Sequence, residues 1–219
     1  MRKLFCAVCV CFFAVSFCPA QGIMTAADFF KNVSDFYAGI NDYEADVEIE
    51  TAGNLMSGHV SFKRPEMLRI DFSQPAEQVI LFNGTDLTIY LPGSSAILEQ
   101  SVESSGVSVT PQGLSLLRRY YSVAYESGQG AVPLEEGSDE MVIKLLLTRR
   151  ASSEAFSSIQ ISVDASDNLI RRVQAVTPKN ERFTFDFYNY RLNTNIADQR
   201  FIYDPPSSAN NYNNFLFSE

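Results

Sequence analysis

The spacing of apolar positions along this chain changes twice, and each change marks a different kind of element. Between Thr25 and Ile40 the residues Phe29, Phe30, Val33, Phe36, Tyr37 and Ile40 recur at three- and four-residue intervals, the stripe of an amphipathic α-helix. Thr25 offers a capping hydroxyl and Asp28 a carboxylate in the first turn, where the helix dipole favours negative charge. The plainest role for this stripe is core. From Tyr43 the period drops to two. Val47 and Ile49 alternate with Asp46, Glu48 and Glu50, and Val60 and Phe62 resume the pattern after a loop at Gly53 and Asn54. Strand is expected to follow strand for about sixty residues.

Lys63-Arg64-Pro65 interrupts this run, because proline lacks the N–H that a ladder needs. Beyond it Leu68, Ile70 and Phe72 share one side, and Met67, Arg69 and Asp71 the other. Arg64 has the parity of Val60 and Phe62, which is expected to put its guanidinium at the rim of their apolar face. Asn83-Gly84, between strands expected at 79–82 and 87–91, predicts a hairpin because both residues tolerate positive φ.

The second change comes at Thr110-Pro111, a capping hydroxyl before a proline at the first helical position. It predicts a helix of roughly fifteen residues with Leu114, Leu117, Tyr121 and Ala124 as its stripe, lying across the sheet. Residues 128–139, rich in glycine and acids, read as loop. Strands return at 141–147, 156–163, 169–176 and 181–190, with Phe183, Phe185 and Phe187 on one face. No repeat or second composition regime is present, so 21–206 is expected to be one domain. The serine- and asparagine-rich tail, 207–219, is expected to be disordered. The sum is an α+β chain, mostly β, an antiparallel sheet with one strongly apolar face. Such a face needs a helical cover or an apolar ligand.

Composition adds a compartment. Arg2 and Lys3 precede an apolar run over 4–17 and the small-residue site Cys18-Pro19-Ala20, a secretory signal peptide expected to be cleaved near Ala20. Lipidation of Cys18 is the rival, with bulky Phe17 standing against it. Cysteines 6, 9, 11 and 18 all fall in this leader, which leaves no disulfide framework beyond it. Later segments do not approach the eighteen uncharged apolar residues of a spanning helix. Losing Arg2 and Lys3 with the leader takes the formal charge from −9 to −11, which argues against nucleic acid and anionic membrane surfaces as partners.

Catalysis finds little support. The chain has a single histidine, His59, of outward parity, and Glu44, Asp46, Glu48 and Glu50 form the wet face of a strand rather than a buried pair. Zinc spacing, an EF-hand loop, a phosphate-binding glycine loop and a dinucleotide fingerprint are absent. No enzyme, metal or cofactor is expected.

Taken in order, the first helix, the paired strands, Lys63-Arg64-Pro65, Pro75, Asn83-Gly84-Thr85, Tyr90-Leu91-Pro92, Thr110-Pro111 with Leu116-Leu117, and the closing Phe201-Ile202-Tyr203-Asp204-Pro205-Pro206 resemble the LolA family of periplasmic lipoprotein carriers over about 25–206. Two departures are the lack of tryptophan and an asparagine-rich end that does not continue the family's usual last strand. The resemblance implies a half-open antiparallel β-barrel whose concave face, covered by an N-terminal helix and a central lid helix, holds acyl chains. It implies a periplasmic monomer that shuttles acylated lipoproteins from an inner-membrane lipoprotein-releasing ABC transporter to an outer-membrane acceptor of unknown identity. It also implies that Arg64 latches the lid to the rim through backbone carbonyls. On that reading Val47, Ile49, Val60, Phe62, Leu68, Ile70, Phe72, Leu117, Phe183 and Phe185 contact lipid, the alternative for each being ordinary core. The second function is a membrane-tethered lipoprotein acceptor, or a lipoprotein-sensing regulatory domain, of the same fold.

Overall fold

A computed structural model describes residues 24–101 and 112–215; the leader with Cys18 and the Thr110-Pro111 cap lie outside them. Helix α1 (Ala26–Gly39) starts where the sequence predicts. Thr25 Oγ1 accepts the Asp28 N–H at 3.1 Å and donates its own proton to the Asp28 carboxylate at 2.7 Å. Phe29, Phe30, Val33, Tyr37 and Ile40 are buried, and Phe36 packs at their edge.

Six strands then run as an antiparallel meander: β1 (Asp42–Thr51), β2 (Asn54–Lys63), β3 (Met67–Gln74), β4 (Val79–Phe82), β5 (Asp86–Leu91) and β6 (Ala96–Ser101). At the β4–β5 turn only Gly84 has positive φ (+102°). Asn83 instead accepts the N–H groups of Thr85 and Asp86 on its side-chain oxygen, at 2.9 and 2.8 Å. The turn is therefore an asparagine-capped loop rather than a two-residue turn with both φ values positive.

The second helix, α2 (Gln112–Tyr120), is shorter than predicted, and β7 (Tyr121–Tyr125) comes directly after it. Tyr121, Val123 and Tyr125 alternate with exposed Ser122 and Ala124, and β7 pairs with β9 (Met141–Arg149). The ladder outcompetes a further helical turn because it buries Tyr121, and β-branched and aromatic residues suit a pleated surface. The loop beyond β7 holds only the two-residue β8 (Val132–Pro133). β10 (Ser158–Asp164), β11 (Ile170–Val176) and β12 (Arg182–Leu192) complete the antiparallel half, and β12 pairs with β1. The tail, expected to be disordered, adds β13 (Asn210–Asn213), which pairs in parallel with β6. Its asparagine side chains hid the backbone pairing. The result is one strongly curved open sheet, ordered β13-β6-β5-β4-β3-β2-β1-β12-β11-β10-β9-β7.

Two bulges in the β12–β1–β2–β3 part of the sheet sharpen its curvature, since an unpaired extra residue bends its strand. One opposes Ala45 with both Tyr190 and Asn189, the latter at φ +55°. The other falls at Ser57 and Gly58, where a Cβ on Gly58 would stand 2.5 Å from the Asp71 carbonyl oxygen. Glycine is required there by backbone approach.

The core divides by face. Along β7 and β9–β12 the inner face packs with both helices around Phe30, Val33, Leu145, Leu147, Ile161 and Val163. On the outer face of β3–β6, Val79, Leu81, Tyr90 and Ile97 are covered by Ile196 and Phe201 of the C-terminal segment. That strap is tied by Lys63 to the Ile196 carbonyl (2.6 Å), by Arg69 to the carbonyls of Arg200 and Ile202 (both 3.1 Å), and by Arg200 to Asp71 and Ser61. Burial alone would raise the Asp71 carboxyl, but the hydrogen bonds from Arg69 and Arg200 outweigh it and hold its pKa below the usual value.

The close approach at Gly58 and the Asp71 cluster are both open to test. Gly58→Ala should lower unfolding free energy by about 1–3 kcal/mol in a denaturant titration; an unchanged midpoint would contradict the close approach. A lowered folded-state pKa means that the Asp71 contribution is present above the unfolded value of about 3.9 and is lost as pH falls through the folded one. Hydrogen-exchange protection of residues 196–203 should therefore fall in acid, and Asp71→Asn should weaken it already at neutral pH.

Candidate functional site

Four neighbouring strands build an apolar wall by cross-strand rungs. Tyr43 of β1 lies opposite Phe62 of β2, and Phe62 opposite Leu68 of β3. Ala45, Val60 and Ile70 form the next rung, while Val47 and Ile49 face Phe187 and Phe185 of β12. With side chains alternating across each strand, one register error would turn this whole set to the outside.

The wall bounds a cavity of about 310 Å³, at the lower end of the range for small-ligand sites. Seven of the ten predicted lipid-contact residues line it: Val47, Ile49, Val60, Phe62, Leu68, Ile70 and Phe185. Tyr43 and Phe187 complete the wall; Tyr37 of α1, Leu114 of α2 and Ile170 of β11 close the other sides. The cavity exists because the side chains of α1 and α2 cluster with those of β7 and β9–β12 and leave the β1–β3 wall unpacked.

The remaining three predicted residues sit elsewhere. Phe72 is buried in the wall beside Val47 and Val60 without reaching the cavity. Leu117 packs into the helix-covered core, and Phe183 stands edge-on to Phe156, with ring centres 6.3 Å apart. Shared parity placed Phe72 and Phe183, and the helical stripe Leu117, on the right face, but neither could say how far the void extends. Sequence reasoning missed Tyr43, Phe187, Tyr37, Leu114 and Ile170 as cavity residues. For Tyr43 and Phe187 the signal was available, since they keep the parity of Val47 and Phe185.

Arg64 lies one residue past the end of β2 and is exposed. Its backbone N–H bonds the Asn41 carbonyl at 2.9 Å, and among the described residues no group accepts a hydrogen bond from its guanidinium. His59 faces outward and pairs with Asp46 at 2.9 Å. Hydrogen bonds from Asn189 and then His59 hold the Asp46 carboxyl below its ordinary value.

Three tyrosines gather at one end of the cavity. Tyr37 accepts the Ile170 N–H at 2.9 Å, and Tyr190 donates to the Ile170 carbonyl at 2.8 Å. The Tyr43 ring stacks on Phe62, 5.2 Å between centres, and lies 5.9 Å from Tyr190. Desolvation raises the pKa of all three, so each is a neutral hydroxyl at physiological pH.

Comparison with known proteins matches residues 49–204 to the family model described as outer membrane lipoprotein carrier protein LolA. The chain belongs to the LolA family. Outer-membrane lipoprotein carrier proteins of Pseudomonas paraeruginosa and Pseudomonas aeruginosa are 20% identical to it over 161 residues, covering 72% of this chain and 69% of theirs. Among solved structures, an uncharacterized conserved protein from Thermus thermophilus superposes with a TM-score of 0.56 at 14% identity, over 84% of this chain and 98% of that one. A chain of the Pseudomonas aeruginosa MucA/MucB complex gives 0.53 at 14% identity, over 82% of this chain and 61% of that one. The matched segment begins at Ile49 and runs through β2–β12 and the strap, so it contains most of the cavity wall. Among the described residues no helix is long and apolar enough to cross a membrane.

If the cavity is an open apolar site, an environment-sensitive apolar dye should bind it. Ile70→Trp, which fills the space with a ring, should weaken that binding by at least about tenfold without lowering stability, because added volume is tolerated where a void exists. Val79→Trp on the outer face should leave dye binding unchanged. Equal effects from both substitutions would place the dye elsewhere.

Proposed function

We propose that this LolA-family chain is a periplasmic carrier that takes the acyl chains of lipoproteins against the β1–β3 wall and moves them from the inner to the outer membrane. The observation that carries this reading is the apolar cavity between the sheet and the two helices, lined by alternate residues of four adjacent strands. Family membership supplies the cargo class.

The physical logic suits a carrier. Each methylene withdrawn from water contributes roughly 0.8 kcal/mol, so a lipoprotein bearing long acyl chains does not cross an aqueous space unaided. A site that captured all of that energy would release its cargo slowly. Fuller helical cover of the cavity would give a competing closed state, and displacing Leu114 and Tyr37 would consume part of the binding energy.

Arg64 fits this scheme as a rim residue that meets carbonyls of the lid helix when the lid is closed, a state it does not occupy in this structure. An inner-membrane lipoprotein-releasing ABC transporter is the proposed donor. The alternative, a tethered acceptor or lipoprotein sensor, uses the same cavity and differs in the step after uptake.

Residues 21–219, added to the outer face of energised spheroplasts, should draw lipoprotein into the supernatant as a complex with this chain. No release, while the transporter works with its own carrier, would reject the shuttle role. Arg64→Leu should still take up cargo and transfer it several-fold more slowly to outer-membrane vesicles; transfer at the normal rate would remove Arg64 from the mechanism.

A further inference from the structure

Among the described residues lining the cavity, only Tyr37 and Tyr43 carry a polar side chain. The Tyr37 hydroxyl is already engaged by the Ile170 N–H. The Tyr43 hydroxyl is not: among the described residues nothing bonds it, and burial rather than a partner accounts for most of its raised pKa. No fully enclosed side-chain nitrogen or oxygen of the described residues lacks a partner, so this unpaired hydroxyl meets open space. Its residue lines the cavity. A lone donor in an otherwise apolar chamber is costly when unused and selective when used, because a ligand must supply an acceptor there or leave it unpaired.

We infer that Tyr43 is a ligand-binding residue whose hydroxyl donates a hydrogen bond to the carbonyl of an ester-linked acyl chain, marking the end of the cavity where the chain joins its polar backbone. This rests on the acyl-carrier reading and adds to it a residue that tells an acyl ester from a hydrocarbon, an ether or a free fatty acid. The charge pattern supports the choice. Every described residue lining the cavity is uncharged, so a fatty-acid carboxylate drawn inside would leave the Arg64 guanidinium behind at the rim and find no cation among them, which a low-dielectric site penalises heavily. A carbonyl needs only the one neutral donor that Tyr43 offers. The ring is held for this task by its stack on Phe62 and its edge contact with Tyr37, 6.5 Å between centres at 88°. With one hydroxyl wholly unpaired among the described lining residues, the site reads a single carbonyl.

The test compares 1,2-dipalmitoylglycerol with its ether analogue 1,2-dihexadecylglycerol as competitors for the apolar dye, using the wild-type protein and Tyr43→Phe. The wild type should prefer the ester. Tyr43→Phe should weaken ester binding about fivefold, the effect of one neutral hydrogen bond, and leave ether binding unchanged. The infrared carbonyl band of ¹³C-labelled ester bound to the wild type should lie below that of ester bound to Tyr43→Phe. Unchanged ester affinity, or equal weakening of ester and ether, overturns the Tyr43 assignment while the apolar carrier site stands. If the wild type binds neither competitor, the carrier reading fails and takes this inference with it.

Discussion

The structure turns on one mismatch, a strongly curved sheet with more apolar inner face than its two helices can cover. α1 spans fourteen residues and α2 nine, about 21 and 14 Å of helix. Their stripes are consumed by β7 and β9–β12. Past that line the rungs of β12, β1, β2 and β3 remain apolar but, among the described residues, meet Tyr37, Leu114 and Ile170 across a void. A core packed throughout would be more stable. The uncovered part is where the fold keeps capacity for another molecule.

Curvature is built locally. The bulge at Asn189 shifts β12 so that Tyr190 as well as Phe187 packs inward, next to Tyr43. Gly58 permits β3 to approach β2 closely beside the cavity wall. The convex side opposes this bending by being strapped: the Arg69–Asp71–Arg200 cluster and Phe201 bind the C-terminal segment across β2–β5. Inner and outer faces thus differ in kind. The outer apolar residues are spoken for by the chain's own tail, and the inner ones are not.

The alternation of Val47, Ile49, Val60, Phe62, Leu68 and Ile70 made the wall legible in sequence, since period two fixes which residues share a face. What it could not fix was depth. Phe72 and Phe183 have the same parity yet end in packed surroundings, because the void is bounded by where α1 and α2 stop rather than by the strands. The α2–β7 boundary was ambiguous for a definite reason. Leu114, Leu117, Tyr121 and Ala124 satisfy a helical period, and Tyr121, Val123 and Tyr125 a strand period, and long-range pairing with β9 decided between them. β13 was hidden likewise: its partner β6 is more than a hundred residues away, and its composition favours disorder. Tyr43 was overlooked because it stood at the change of period, read as a boundary instead of a face.

The central claim is that acyl chains lie against the inner wall of β1–β3 and not on the strapped outer face. Intermolecular nuclear Overhauser effects between a protonated palmitoyl chain and methyl-labelled, otherwise deuterated protein test it most directly. Contacts should appear at Val47, Val60, Leu68 and Ile70 and be missing at Val79, Leu81 and Ile97. Contacts at the outer set, or at both sets equally, would contradict the inner wall as the binding surface.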